Sequence, residues 1–139
     1  MGNATRGGFA LGVLAALVTV PALAHHSVAG VFDVGRTVRF AGTVSRVDWI
    51  NPHTYIYVDV TEADGKVTVW KLESLPVAMM RKAGLSRQDI LANGQRVEVV
   101  ANPARNGTQA LGYIVNLRYA DGRNFQFGRD PGDKSAAAE

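Results

Sequence analysis

The chain has 139 residues, a formal net charge of +3, 47% hydrophobic residues and no cysteine. Without cysteine there is neither a disulfide nor a thiolate metal site, so packing alone must hold the fold. The 15 lysines and arginines are scattered along the chain, which speaks against a nucleic-acid partner, because that binding uses a dense basic face.

Met1 to Ala24 has the layout of a secretory signal: a short start with Arg6, an apolar run from Phe9 to Val20, then Pro21 and the small-residue end Ala22-Leu23-Ala24. The apolar run is about a dozen residues, short of the roughly 20 that span a bilayer as a helix. Cleavage is therefore expected after Ala24, with export to the periplasm, and the mature chain is expected to have no transmembrane helix. It would keep 139 − 24 = 115 residues, enough for one domain with a real core, and would begin at His25.

Residues 25–36 carry little pattern and are expected to form an extended N-terminal arm, with Val31, Phe32 and Val34 pinning it to the domain. From Thr37 the residues alternate: Val38, Phe40, Gly42 and Val44 share one side, Arg39, Ala41, Thr43 and Ser45 the other. After Arg46 the apolar positions become Val47 and Trp49, a slip of one residue. A slip of that kind predicts a β-bulge in a long, bent first strand. Asn51-Pro52-His53 follows as a corner, stiff because Pro52 fixes its own φ and restricts Asn51.

In the next strand Ile56, Val58 and Val60 form the apolar side, so Tyr55, Tyr57 and Asp59 face outward or into a groove. Ala63-Asp64-Gly65-Lys66 is a hairpin turn leading to a third strand that holds Trp70 and Leu72. Ser74 is expected to cap a helix that ends at Gly84, with Leu75, Met79 and Lys82 on one face and both Met79 and Met80 filling core. Ser86-Arg87-Gln88-Asp89 has a loose capping-box pattern for one more turn. A fourth strand over residues 96–101, a loop over 102–107, a fifth strand over 113–119 and a short last strand at Phe125 and Phe127 complete the chain. The tail over 129–139 has no periodicity and is expected to be disordered. The expected fold is mainly β: an OB-like five-stranded barrel over residues 37–128, in the order β-β-β-α-β-β.

No nucleophile stands in an elbow frame, no carboxylates are paired in a motif and no phosphate-cradling glycine loop is present, so the chain is not expected to be an enzyme. Two kinds of site compete. Trp49, Asn51, His53, Tyr55 and Tyr57 are candidates for a ligand face, since flat rings stack on sugars and other planar molecules; their plainer alternative is core and edge packing. His25, with its α-amino group, His26 and His53 are candidates for a nitrogen-donor metal site that favours copper; their plainer alternative is a flexible terminus and a backbone-bonded corner histidine.

Ala24-His25-His26-Ser27, the stretch from Gly42-Thr43-Val44 through Trp49-Ile50-Asn51-Pro52-His53, Tyr57-Val58-Asp59-Val60 and the late Asp121-Gly122-Arg123 together resemble a family of small bacterial exported domains of unknown function. The resemblance covers roughly Ala24 to Phe127 and implies a periplasmic OB-like domain, with no activity to carry over. The chain departs from the family's usual aromatic or aliphatic pair after Asn-Pro-His, where it has Thr54-Tyr55. The expected functions are a non-enzymatic periplasmic binding or interaction domain for a small molecule, glycan or envelope protein, a copper-binding protein, or a structural subunit of an envelope complex.

Overall fold

The computed structural model describes residues 27–91 and 94–130. Nine elements follow in order: α1 Val28–Val31, β1 Val38–Asp48, β2 Tyr55–Thr61, β3 Val67–Glu73, α2 Val77–Lys82, α3 Arg87–Leu91, β4 Arg96–Pro103, β5 Leu111–Tyr119 and β6 Asn124–Gln126. Strands β3, β2, β1, β4 and β5 are neighbours in that order, and a parallel pairing of β3 with β5 closes them into a barrel. The short β6 adds to β5 outside the closed circuit. The chain is thus a mainly β protein built on a five-stranded closed barrel.

The barrel follows from the alternation. Val44, Val47, Ile56, Val58, Leu72, Val97, Val99, Ile114 and Leu117 point inward and are buried together. The slip in the first strand is a bulge: Val44 pairs with Val58 but Arg46 pairs with Tyr57, so Ser45 is the extra residue. This bulge keeps Val44 and Val47 on the same inner side although they are three apart. Gly42 allows β1 to press against β2 just before it, since a Cβ there would lie 2.3 Å from the Asp59 carbonyl oxygen and 2.8 Å from Val58 Cγ1.

Two short helices between β3 and β4 contribute Met80 and Ile90 to this core, both fully buried. Ser86 and Asp89 do form the capping box: the Ser86 N–H donates to Asp89 Oδ2 at 2.7 Å, and the Asp89 N–H donates to Ser86 Oγ at 3.3 Å. The Asp89 carboxyl is held below the usual carboxylate range chiefly by the hydrogen bonds from Ser86. Tyr119 from β5 anchors this layer by donating its hydroxyl to the Ile90 carbonyl.

Several expectations are corrected. Ser74 does not cap α2; Pro76 occupies that position, and Ser74 is buried at the end of β3. Val77 and Met80, not Met79, make the buried face of α2, and Met79 is exposed, because six residues give too few turns for spacing to reveal phase. The arm is not extended throughout: Val28–Val31 is a helical turn, held by Arg105, whose Nε donates to the Ala29 carbonyl and whose N–H donates to the Val31 carbonyl. Phe32 then buries itself against Tyr113, with ring centroids 5.8 Å apart, so the arm is part of the domain. Arg129 and Asp130 are also part of the fold, and the remainder of the expected tail, like the expected signal segment, lies outside the described residues.

Two predictions follow from packing and ionisation. Gly42→Ala should cost about 3 kcal/mol in urea denaturation by overpacking a backbone contact, whereas Gly65→Ala, which meets no atom but has φ +84°, should cost about 1–2 kcal/mol. Burial pushes the Tyr119 phenol up to about 12. A raised folded-state value favours the neutral form, so this contribution is present below pH 10 and is lost between about pH 10 and 12 as the unfolded chain ionises first. Tyr119→Phe should flatten the alkaline fall of stability in melts at pH 8 to 11.

Candidate functional site

The Asn51-Pro52-His53 corner joins β1 to β2, and its Asn51–Pro52 peptide is cis. Asn51 and Pro52 are exposed, His53 is half-buried and Thr54 is fully buried. The five ligand-face candidates do not form a single platform. Trp49 is half-buried and packs against the core. Tyr57 and Tyr55 lie on the outer face of β2, as the alternation requires, but in different surroundings.

Tyr57 belongs to a closed cluster. Its hydroxyl donates to Asp48 Oδ2 at 3.0 Å, the Arg46 guanidinium lies 3.8 Å from its ring centroid, and Arg46 Nε lies 3.2 Å from Asp48 Oδ1. Charge, ring face and hydroxyl are satisfied within three residues. At half-exposed positions such contacts contribute about 0–1 kcal/mol each, so the cluster orders the surface more than it stabilises the fold.

Tyr55 belongs to a second cluster around a residue that sequence reasoning passed over, Glu73. Register places Glu73 opposite Tyr55 on β2 and beside Tyr113 on β5. Glu73 is only 5% exposed, and His53 Nδ1 lies 3.0 Å from its Oε1. The two groups stand within ion-pairing distance, but the contact lacks hydrogen-bond alignment, and among the described residues Oε1 accepts no hydrogen bond. Burial raises the Tyr55 phenol, with the negative charge of Glu73 and then Tyr57 adding to the effect; Tyr113 is raised by its burial and next by Glu73. The Lys71 ammonium covers the Tyr55 ring at 4.3 Å.

The neighbouring rung is also polar and buried. Ser74 donates its N–H to the Thr54 carbonyl at 2.9 Å, yet among the described residues Thr54 Oγ1 and Ser74 Oγ have no hydrogen-bond partner. Two unpaired hydroxyls and a carboxylate oxygen met only by His53 therefore fall together where β2 begins and β3 ends. Buried polar groups are normally paired, and leaving one unpaired costs about 1–3 kcal/mol. An arrangement that carries this cost points to a group kept for something other than stability.

The pairing of Glu73 with Tyr55, though not its burial, could have been found from the sequence. The Asp64-Gly65 turn sets the hairpin register, with Thr61 opposite Val67, and counting outward from it brings Tyr55 opposite Glu73. His25 and His26 lie outside the described residues, and among the described residues no three His, Cys, Asp or Glu are grouped to hold a metal ion. Among the same residues no helix is long and apolar enough to cross a membrane.

If the Glu73 carboxylate is a group held in reserve, Glu73→Gln should change the unfolding free energy by no more than about 1 kcal/mol. A loss of 3 kcal/mol or more in urea denaturation would instead make the carboxylate a structural keystone.

Residues 13–112 match a family of unknown function, DUF6152. This is well over half of the 139-residue chain, and the chain belongs to that family. No curated protein and no solved structure matches it.

Proposed function

We propose that this is a non-enzymatic periplasmic binding domain whose recognition centre is the Glu73–His53–Tyr55 cluster on the outer face of β2 and β3. The observation that supports this most is the buried Glu73 carboxylate, whose Oε1 accepts no hydrogen bond among the described residues. A ligand that brings N–H or O–H donors, such as an amine or a sugar, would meet the half-exposed His53 and Tyr55, with the Glu73 carboxylate buried behind them drawing donors to that face. The position on a β1–β2 connection and the β2–β3 face agrees with where OB-type barrels take ligands, which is analogy and secondary to the site chemistry.

A second reading, copper binding, draws on a specific contact. Metal-bound histidines commonly place their other ring N–H against a carboxylate, and His53 Nδ1 stands in that relation to Glu73. His53 Nε2 would then be the ligating atom, with His25 and His26 completing a nitrogen set for which Cu(II) is favoured. Such binding weakens as pH falls towards about 5, because the donors must be deprotonated.

One set of measurements separates the two. Mature protein, His53→Ala and Glu73→Gln are titrated with Cu(II) and screened against amines and oligosaccharides by thermal shift. Binding to Glu73 predicts organic hits that Glu73→Gln weakens at least tenfold. Copper binding predicts a Cu(II) affinity that His53→Ala lowers at least tenfold. Organic hits that bind Glu73→Gln as well as the wild type would sink the first reading, and equal, weak Cu(II) binding by all three proteins would sink the second.

A further inference from the structure

A different face of the barrel carries an independent inference. Strand register lines up two rungs across β1, β4, β5 and β6: Arg39, Val100, Asn116 and Gln126 on one, Ala41, Glu98, Arg118 and Asn124 on the next. Directly paired residues share a face, so these eight side chains stand together on the outside of the sheet. Two arginines and three side-chain amides dominate it. The amides are mutually ordered, with Asn116 Nδ2 donating to Asn124 Oδ1 and to Gln126 Oε1, each at 2.7 Å.

The chain itself crosses this face. The β4–β5 register skips Val115, and the Val115 carbonyl accepts the N–H groups of Phe127 and Gly128 at 2.8 and 3.2 Å. Phe127 thereby prolongs the β5–β6 pairing, and the chain beyond it reaches across to Arg39. Val100, which points outward, is only 8% exposed. Asp130 reaches Arg39, placing Oδ2 2.5 Å from Nη2, and its side chain is 9% exposed against 57% for that of Arg39. A carboxylate is thus seated in a groove of about 330 Å³ lined by Arg39, Asn116, Arg118 and the β6 amides. A second groove of about 380 Å³ shares Arg39, Val100, Asn116 and Arg118 and continues it past Glu98.

We propose that this face is a docking groove for an extended acidic peptide of a partner protein, occupied in the isolated chain by its own Gly128–Asp130 segment. The internal occupant displays what the groove accepts: a short backbone stretch held by the Val115 carbonyl and a carboxylate ending on Arg39. Charge complementarity fixes the class of partner. With Asp130 withdrawn, Arg39 and Arg118 face the single carboxylate of Glu98, and the surplus positive charge, set among ordered amides, matches an Asp or Glu side chain. In this arrangement Asp130 is a competitor in cis, and partner binding requires its displacement.

The test uses the mature protein, a version ending at Gly128, and full-length Asp130→Asn, with a fluorescent peptide of residues 127–133, Phe-Gly-Arg-Asp-Pro-Gly-Asp, as probe. Both altered proteins should bind the probe at least tenfold more tightly than the wild type. The probe with its first Asp replaced by Asn, and the double variant Arg39→Gln with Asp130→Asn, should each lose at least tenfold. Binding that ignores the Asp-to-Asn change in the probe would overturn the proposal. So would failure of Asp130→Asn, shown folded by its melt, to bind the probe, and this variant decides the matter if the shortened chain does not fold.

Discussion

The barrel depends on a three-residue seam. Lys71, Leu72 and Glu73 of β3 pair in parallel with Leu111, Gly112 and Tyr113 of β5, and without these rungs the sheet would be open and curled, with β3 and the start of β5 as bare edges. On the other side of β5, Gly112 allows close approach of β4: a Cβ there would lie 2.9 Å from the Asn102 carbonyl oxygen. Parallel pairing between strands distant in sequence is also the slowest contact for a chain to find, since a long loop must close before any rung forms. Glu73 occupies the last rung, flanked by Tyr55 and Tyr113. The last rung of the seam is thus also where a carboxyl side chain is buried.

This coincidence explains why the site was only half legible beforehand. Short-range patterns translated well: the phase slip after Arg46 became the Ser45 bulge, Asp64-Gly65 became the hairpin turn, and Ser86 with Asp89 became the capping box. Each rests on contacts within a few residues or across one hairpin. What did not translate rests on long-range geometry. The Val28–Val31 turn has no pattern of its own and depends on Arg105, 76 residues away by its Ala29 contact. Ser74 has a cap residue's chemistry, but barrel closure buries it one position after the seam. Glu73 looks like any solvated strand carboxylate until β5 arrives beside it.

The two tyrosines on β2 illustrate the same limit at the level of chemistry. Alternation places both on the outer face, and nothing local distinguishes them. Their cross-strand partners do: Tyr57 lies between Arg46 and Lys71, Tyr55 between Asp48 and Glu73. Arg46 and Asp48 then close around Tyr57, spending its hydroxyl and one ring face on an internal cluster. Tyr55 is left beside a carboxylate that the protein does not fully hydrogen-bond. A difference of two positions in one strand thus separates a residue that finishes the surface from one that borders a buried carboxylate.

The outside of the barrel is divided by the same logic into two chemically opposite regions. On β2 and β3 a carboxylate is buried and under-supplied with donors, so that region is suited to accept a donor or a cation. On β1, β4, β5 and β6 arginines and amides are in excess, and among the described residues Asp130 is the carboxylate drawn into that groove from beyond the sheet. A neutral, evenly hydrogen-bonded surface would have needed only small changes, such as an amide at position 73 or a neutral residue at 39. Both departures cost stability or order, and both are held by rigid strands rather than loops. Pre-organisation of this kind lowers the ordering cost of binding, because the groups that meet a ligand lose little freedom when it arrives. The barrel is therefore best understood as a stiff frame that keeps two opposite, incompletely satisfied polar surfaces in fixed register.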